Sequence, residues 1–433
     1  MLRPPASSVP SGRRALVFNS GWLLAEKGIR LVVGQALVTM LLARYLGPAD
    51  FGVFNFAIAL VALFGSLAGL GLEEILVREL VRRPAAEHPL YLATVWRLKM
   101  IGAVVAALLA LGVAAILRAD EPRVWGVVAL LAGGLLFTPW DVFDTWFQSQ
   151  SRFGPAVAAR LVAFLLSAAA RVGIVLAGEP LWMLAAAVAL EPLGAAIGLA
   201  VAGRRAGARR VALPVDKQLT GTLLAEGWPL LLSGLFVLAT MQFDKVLVGL
   251  IAGYETAGYY AAATRLTELF YAVPVALGAA AIPALARRRQ TDRAGYWQAA
   301  RWLLIALAGI GTAVAALIAW RADDLIHTAY GDRYQMAVAP LAAHVWSLGF
   351  VFIVSLRGRL LVLEGKGSWL PALTGTAALA NIALNLWWVP RYGATGAGWA
   401  ATTAWGFSAL LVPLLFPPIR PLVREFFGAP AKS

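Results

Sequence analysis

Apolar windows long enough to cross a bilayer recur from one end of the chain to the other, punctuated by short polar loops. They predict spans near residues 16–43, 51–72, 99–117, 124–146, 155–177 and 181–202. A second set follows near 226–251, 257–282, 297–320, 335–363, 367–389 and 394–416. A helix rises 1.5 Å per residue, so about 20 residues cross a hydrocarbon core of about 30 Å. The pattern predicts an all-α, polytopic membrane protein with about 12 transmembrane helices. The longest internal hydrophilic stretch, residues 204–227, divides the first six spans from the last six. The expected layout is two six-helix bundles around a central cavity. A leader covers 1–15, the N-terminal bundle 16–203, a linker 204–225, the C-terminal bundle 226–416 and a tail 417–433.

Two turns support a pseudo-repeat between the halves. LGPADFGVFNFA (46–57) follows the first span and AGYETAGYYAAA (252–263) follows the seventh. Each has glycines five apart, Gly47/Gly52 and Gly253/Gly258, followed by aromatic and small residues. Glycine there permits a positive φ and a close helix entry. Membrane hairpins favour such turns in any case, so duplication and coincidence both remain open. Two-fold repeats are common in transporters, with substrate held between the halves.

Lys and Arg set the orientation. With a cytoplasmic N-terminus, 26 of the 37 fall in inner loops and termini and six in outer loops. Lys99, Arg160 and Arg357 are counted with the inner loops. The bias is a strong positive-inside signal, so both termini are expected in the cytoplasm.

Composition narrows the class further. The chain is 60% hydrophobic and only 14% charged, against about 25% charged in soluble domains. A net charge of +14 could suggest nucleic acid, but the bases lie in loops between spans rather than along one solvated face. There is no cysteine, which excludes disulfides and thiolate metal sites. The three histidines, His88, His327 and His344, are not at i, i+4 spacing, so a HExxH zinc site is absent. No cofactor is expected. No cleavable signal peptide is evident, so the first helix is expected to be retained.

Five bases remain that loops do not explain: Lys27, Arg30, Arg171, Lys245 and Arg265. Four acids, Glu26, Glu191, Asp244 and Glu268, lie at comparable depths. A charge at the centre of a membrane helix costs roughly 2.5–3.5 kcal/mol, so such residues usually face water or protein. Counting from the span ends puts Glu26, Lys27 and Arg30 roughly 15–21 Å from the inner start of their helix. Arg171, Lys245 and Arg265 fall roughly 9–12 Å below the outer edge. The bases therefore form two expected tiers. Snorkelling and simple pairing, such as Glu26 with Arg30 at i, i+4 or Arg265 with Glu268 at i, i+3, are the structural alternatives.

Several segments resemble a known family. KGIRLVVGQALVTMLLARYLGPADFGVFNFAIALVALFGSLAGLGLEEILVREL (27–80) resembles the opening of bacterial polysaccharide flippases. FDKVLVGLIAGYETAGYYAAATRLTE (243–268) and VPRYGATGAGWAATTA (389–404) match its style. These are O-antigen type, lipid-linked oligosaccharide transporters of the multidrug/oligosaccharidyl-lipid/polysaccharide exporter (MOP) superfamily. The ARYLGPADFG turn is the most specific part, and none of these motifs is a catalytic signature. Related peptidoglycan-precursor flippases usually carry fourteen spans, and two extra spans are not visible here.

The resemblance implies an alternating-access flippase in the bacterial cytoplasmic (inner) membrane, coupled to H+ or Na+, with antiport as the expected mode. Its cargo would be an undecaprenyl-diphosphate-linked oligosaccharide, carried from the inner to the outer leaflet. A polysaccharide polymerase and a chain-length protein are the implied partners, and the chain is expected to be a monomer.

On that reading a diphosphate of about two negative charges cannot cross hydrocarbon uncompensated. The five bases are its candidate cavity partners, since guanidinium binds phosphate oxygens bidentately and lysine offers a point charge. Glu26, Glu191, Asp244 and Glu268 are the ion-coupling candidates, each equally able to be a fixed counter-ion. Asp141 and Asp144 are expected to contact sugar or cap their span rather than carry protons. Trp140, Asn381 and Asn385 are further sugar-contact candidates, against the interface and helix–helix roles such residues also play. His344 stands alone in its span, where a packing role and a proton relay are both open. Two rival functions remain. One is a multidrug or small-solute cation-coupled exporter of the same superfamily. The other is a membrane glycan-polymerising enzyme, which would normally carry a larger extramembrane loop than 321–334.

Overall fold

The computed structural model describes residues 21–208 and 216–427, Leu24 excepted. The expected leader 1–15, the first residues of the first span, part of the linker (209–215) and the end of the tail (428–433) lie outside the described residues. Among the described residues every regular element is a helix. Among the described residues, nine helical runs are long and apolar enough to cross a bilayer. The number is ten if the pair Asp332–His344 and Ser347–Leu363, bent by 48°, counts as one broken span. The expected number was about 12. The counts differ partly because Gly21–Arg82 and Gly367–Leu410 are continuous runs that each cover two predicted spans. Within them the backbone leaves helical geometry at Gly47 (φ 71°) and Gly393 (φ 54°).

Many large apolar side chains point outward, among them Ile116 (81% exposed), Leu176 (80%) and Trp320 (74%). Water would penalise this surface, whereas lipid would not. The fold is that of a multi-pass membrane protein.

The described residues form two compact units. The first takes the chain up to Thr39 together with Phe64–Leu231, and the second takes Met40–Leu63 together with the chain from Leu232.

In the first unit, helices Phe153–Ala177 and Leu181–Arg205 pack along small residues. A Cβ added to Gly198 would lie 2.9 Å from that of Ala159, and one at Gly194 would lie 3.1 Å from that of Ala163. Small residues let membrane helices approach this closely, and dispersion then holds them. The Ser167 hydroxyl, in the small-residue run before Arg171, donates to Ala187 O at 2.7 Å. Residues Arg30–Val38 form a π-helix, a geometry that appears mostly as short insertions and often at functional sites.

In the second unit, the hairpin around Gly47 packs against the start of helix Tyr254–Glu268. Gly47 (φ 71°, ψ 173°) and Gly253 (φ 84°, ψ 167°) share one backbone conformation, open to glycine and strained for other residues. The contact is reciprocal: a Cβ on Gly52 would collide with Tyr254 O, and one on Gly258 with Pro48 O. The two turns matched by sequence are thus also matched in conformation and packed on one another. Further bonds hold this hairpin in the second unit. Arg44 donates to Ala329 O at 3.0 Å, and the Tyr334 hydroxyl to Ala43 O at 2.8 Å.

Candidate functional site

Each unit contains its own network of buried charges. In the first, Arg30 lies at the start of the π-helix and reaches three acceptors. Its Nη1 donates to Glu191 Oε1 at 2.6 Å, its Nε to Glu26 Oε1 at 3.2 Å and its Nη2 to Arg160 O at 3.4 Å. The guanidinium also lies over the Phe164 ring, 4.8 Å from its centroid. Arg160 clamps both oxygens of Glu26, at 2.9 and 2.6 Å, and pairs with Asp144. Bidentate guanidinium–carboxylate pairs of this kind are among the stronger charged hydrogen bonds.

Arg171 lies within electrostatic reach of Glu191 and Arg30. Arg30 and Arg171, expected on separate tiers, both lie near Glu191, which is ion-paired with Arg30. The reason is side-chain direction. A long helical side chain lies over the turn preceding its own Cα, and Arg171 Nε donates back to Ser167 O at 3.2 Å. Lys27 is exposed and is not drawn into the network.

In the second unit, Lys245 is the hub. Its Nζ donates to Glu268 Oε1 at 2.7 Å and to Gln242 Oε1 at 3.3 Å. Arg265 approaches the other oxygen of Glu268 at 3.6 Å and Asn55 Oδ1 at 3.4 Å. Asp244 accepts the Tyr260 hydroxyl and the Lys245 amide (2.8 Å). His344 is buried, with its ring edge-on to Tyr260 at a centroid distance of 6.0 Å. Lys245 and Glu268 come from helices Lys217–Ile251 and Tyr254–Glu268.

The sugar-contact candidates all meet protein neighbours, while Asn381 Nδ2 and Asn385 Oδ1 are buried without a hydrogen-bond partner. Asp144 pairs with Arg160, and Trp140 meets Trp96 edge-on at 5.3 Å. Asn381 and Asn385 are buried, and Asn385 Nδ2 donates to Asn381 O at 2.9 Å and to its Oδ1 at 3.2 Å. Asp141 holds a base expected in an inner loop. Lys99, 2% exposed, places its Nζ 2.6 Å from each Asp141 oxygen and 3.5 Å from Glu73 Oε1.

Three bases counted with the inner loops are therefore corrected. Helix His88–Leu117 begins eleven residues before the predicted span, so Lys99 lies within it. Arg160 lies inside Phe153–Ala177 and joins the first network. Arg357 is 5% exposed and donates to the Ser408 and Ala409 carbonyls. The signal that could have revealed Lys99 was the run YLATV ahead of it, which extends the helix beyond the apolar window.

A family model for "Polysaccharide biosynthesis protein" matches residues 19–288, more than half of the chain. The chain belongs to the polysaccharide biosynthesis protein family. No curated protein matches the chain in sequence. Among solved structures, this family member is similar to the lipid II flippase MurJ in an inward closed conformation. The TM-score is 0.70 at 12% identity, over 95% of this chain and 90% of that one. It is similar to an inward-facing multidrug resistance MATE transporter of the MOP superfamily, with a TM-score of 0.69 at 15% identity over 94% and 99%. A MOP superfamily transporter from Pyrococcus furiosus, noted for the reverse polarity of its binding pocket, gives 0.60 at 16% identity over 97% and 100%. At these identities the likeness establishes the fold. This polysaccharide biosynthesis family member shares the fold of those transporter structures.

Proposed function

We propose that the chain is a flippase for an undecaprenyl-diphosphate-linked oligosaccharide. It moves the cargo from the cytoplasmic to the outer leaflet of a bacterial inner membrane by alternating access, driven by a proton or sodium gradient. The N-in, C-in orientation follows from the Lys and Arg bias. Membership of the polysaccharide biosynthesis family is the observation that carries this reading.

The charge networks supply its chemistry. Arg30 is one-third exposed and shared between two carboxylates, so an incoming phosphate can replace one acceptor without stranding a bare cation. Arg171, near Glu191 and Arg30, supplies a second guanidinium for the same headgroup. Lys245 and Arg265 around Glu268 offer a comparable set in the second unit. In this account Glu26, Glu191 and Glu268 hold the bases in the unloaded protein, Asp244 is held by the Tyr260 hydroxyl and the Lys245 amide, and the four acids exchange partners, or protons, as cargo passes.

The test is binding of a lipid-linked diphosphate oligosaccharide to purified protein, wild type against Arg30→Ala and Arg171→Ala. The proposal expects weaker binding in both variants. Unchanged binding in both would remove these bases from the cargo path. Efflux of a fluorescent cation with no competition from lipid-linked sugar would point to a multidrug exporter instead.

A further inference from the structure

Helices Pro122–Leu135 and Leu181–Arg205 of the first unit touch at depth and part towards their first residues. A Cβ on Gly134 would lie 3.1 Å from the Pro192 ring and 3.5 Å from Ala189 Cα. One on Gly126, about two turns nearer the helix start, would meet nothing within 4 Å. Between the parted ends lies a cavity of about 490 Å³. That is within the range of about 300–1,000 Å³ in which small-molecule sites fall.

Its walls are sorted by polarity. Arg123, Gly126, Val127 and Leu130 form one wall, and their i, i+3, i+4, i+7 spacing is a single helical stripe. Leu181 and Trp182 face them from the second helix. Among the described residues of these walls Arg123 alone is charged, and it lies at the mouth. From Arg123 to Leu130 the stripe runs about 10 Å along the helix, most of the roughly 15 Å of hydrocarbon in one leaflet. Trp182 is 55% exposed and Trp125 40%, at the level between headgroup and hydrocarbon where tryptophan gathers. A guanidinium above an apolar trough matches a phosphate above an acyl chain.

The flanking turns narrow the headgroup. Arg118, Asp120 and Glu121 precede the first helix, and Glu179 precedes the second. With Arg123, these described residues give three acids against two bases, and Arg118 is paired with Glu121 at 3.3 Å. A headgroup with net negative charge would be repelled by this rim. One that carries an ammonium beside its phosphate would meet opposite charge at both positions.

We propose that this cavity holds a zwitterionic aminophospholipid of the phosphatidylethanolamine class. Its phosphate lies on Arg123, its ammonium among the acids of the rim and one acyl chain in the gap between the helices. On the orientation given by the Lys and Arg bias, the lipid belongs to the outer leaflet. Deeper in Leu181–Arg205, Glu191 reaches Arg30, so the lipid braces the helix that carries this acid. The site does not rest on the cargo assigned above.

The experiment is native mass spectrometry and thermal unfolding of the full-length protein in detergent, with no cargo present. The added probes are dioleoyl phosphatidylethanolamine, dioleoyl phosphatidylglycerol and glycerophosphoethanolamine, which has the headgroup without the chains. Phosphatidylethanolamine is expected to bind one per protein and to raise the unfolding midpoint. Phosphatidylglycerol should bind more weakly, and the headgroup alone should change nothing. Gly126→Leu fills open space, so it should keep its own midpoint and lose the lipid. Arg123→Ala should weaken phosphatidylethanolamine binding about tenfold or more, as expected for a charged hydrogen bond. Gly112→Leu, also in open space, should bind as wild type does. Trp182→Ala trims an exposed wall residue and is the second test of the chain site, with weaker binding expected. Unchanged binding in both Gly126→Leu and Trp182→Ala overturns the proposal. Equal binding of the two phospholipids, unaffected by Arg123→Ala, overturns the headgroup assignment, and a midpoint shift with the headgroup alone overturns the acyl chain.

Discussion

Arg30 and Glu191 stand 161 residues apart in sequence and 2.6 Å apart in space. The bond joins the first helix of the described chain to Leu181–Arg205, and its arginine also holds Glu26. The guanidinium is what allows this: it presents five donors in a plane, whereas an ammonium is a single point of charge.

Removing that fork should therefore matter more than removing its charge. Arg30→Ala is expected to reduce flipping about tenfold or more, the equivalent of a charged hydrogen bond of about 1.5–3 kcal/mol. Arg30→Lys should recover part of the rate, and Arg171→Ala should fall in the same direction as Arg30→Ala. Initial flipping rates in matched liposomes measure all three.

The Lys245–Glu268 pair separates folding from transport. Its side chains are 6% and 20% exposed. Lys245→Met leaves Arg265 alone against Glu268 and Asp244, and breaking one side of a buried pair costs about 3–5 kcal/mol. The double variant Lys245→Met/Glu268→Met restores the balance of charge and should regain thermal stability, but not transport. Thermal unfolding in detergent and flipping on the same preparations distinguish the two effects.

Gly52 and Gly258 leave no room for a side chain where the two matched turns meet. A Cβ at Gly52 would also lie 2.9 Å from Gly258 N. Gly52→Ala and Gly258→Ala should each destabilise by about 1–3 kcal/mol or more through overpacking. Gly112→Ala, with open space around it, should change little. Midpoints of thermal unfolding provide the comparison.

Arg357 is a buried base of a different kind. It is held by the Ser408 and Ala409 carbonyls near the end of helix Leu370–Leu410, where a cation complements the helix dipole. Arg357→Met should lower stability by about 1–3 kcal/mol while leaving transport per folded molecule close to wild type. A loss of transport without a loss of stability would move Arg357 into the cargo path.

These residues also mark how far the sequence could be read. The helical membrane fold was legible because every span must satisfy its own backbone in lipid, which leaves a long apolar signature. The conformation of Gly47 and Gly253 was legible because the turn needs a positive φ. Four of the five bases singled out as intramembrane, Arg30, Arg171, Lys245 and Arg265, lie in the two charge networks. The partners of Lys99, Arg160 and Arg357 were not legible. Hydropathy windows end at charged residues, so a base one or two turns inside a helix reads as a loop base. Nor does spacing along one helix reveal a carboxylate brought in by another, as Glu191 is for Arg30 and Glu73 for Lys99. Depth counted from span ends places a Cα and leaves out side-chain direction, and that of Arg171 turns back along its helix to Ser167 O.

The central claim is most directly tested by reconstitution. The purified protein is placed in liposomes with a defined lipid-diphosphate oligosaccharide, and its exposure on each leaflet is followed under imposed proton and sodium gradients. The account predicts protein-dependent transfer between leaflets, accelerated by one of the two gradients and reduced in Arg30→Ala. Absence of transfer under either gradient, from protein shown to be folded, would contradict it.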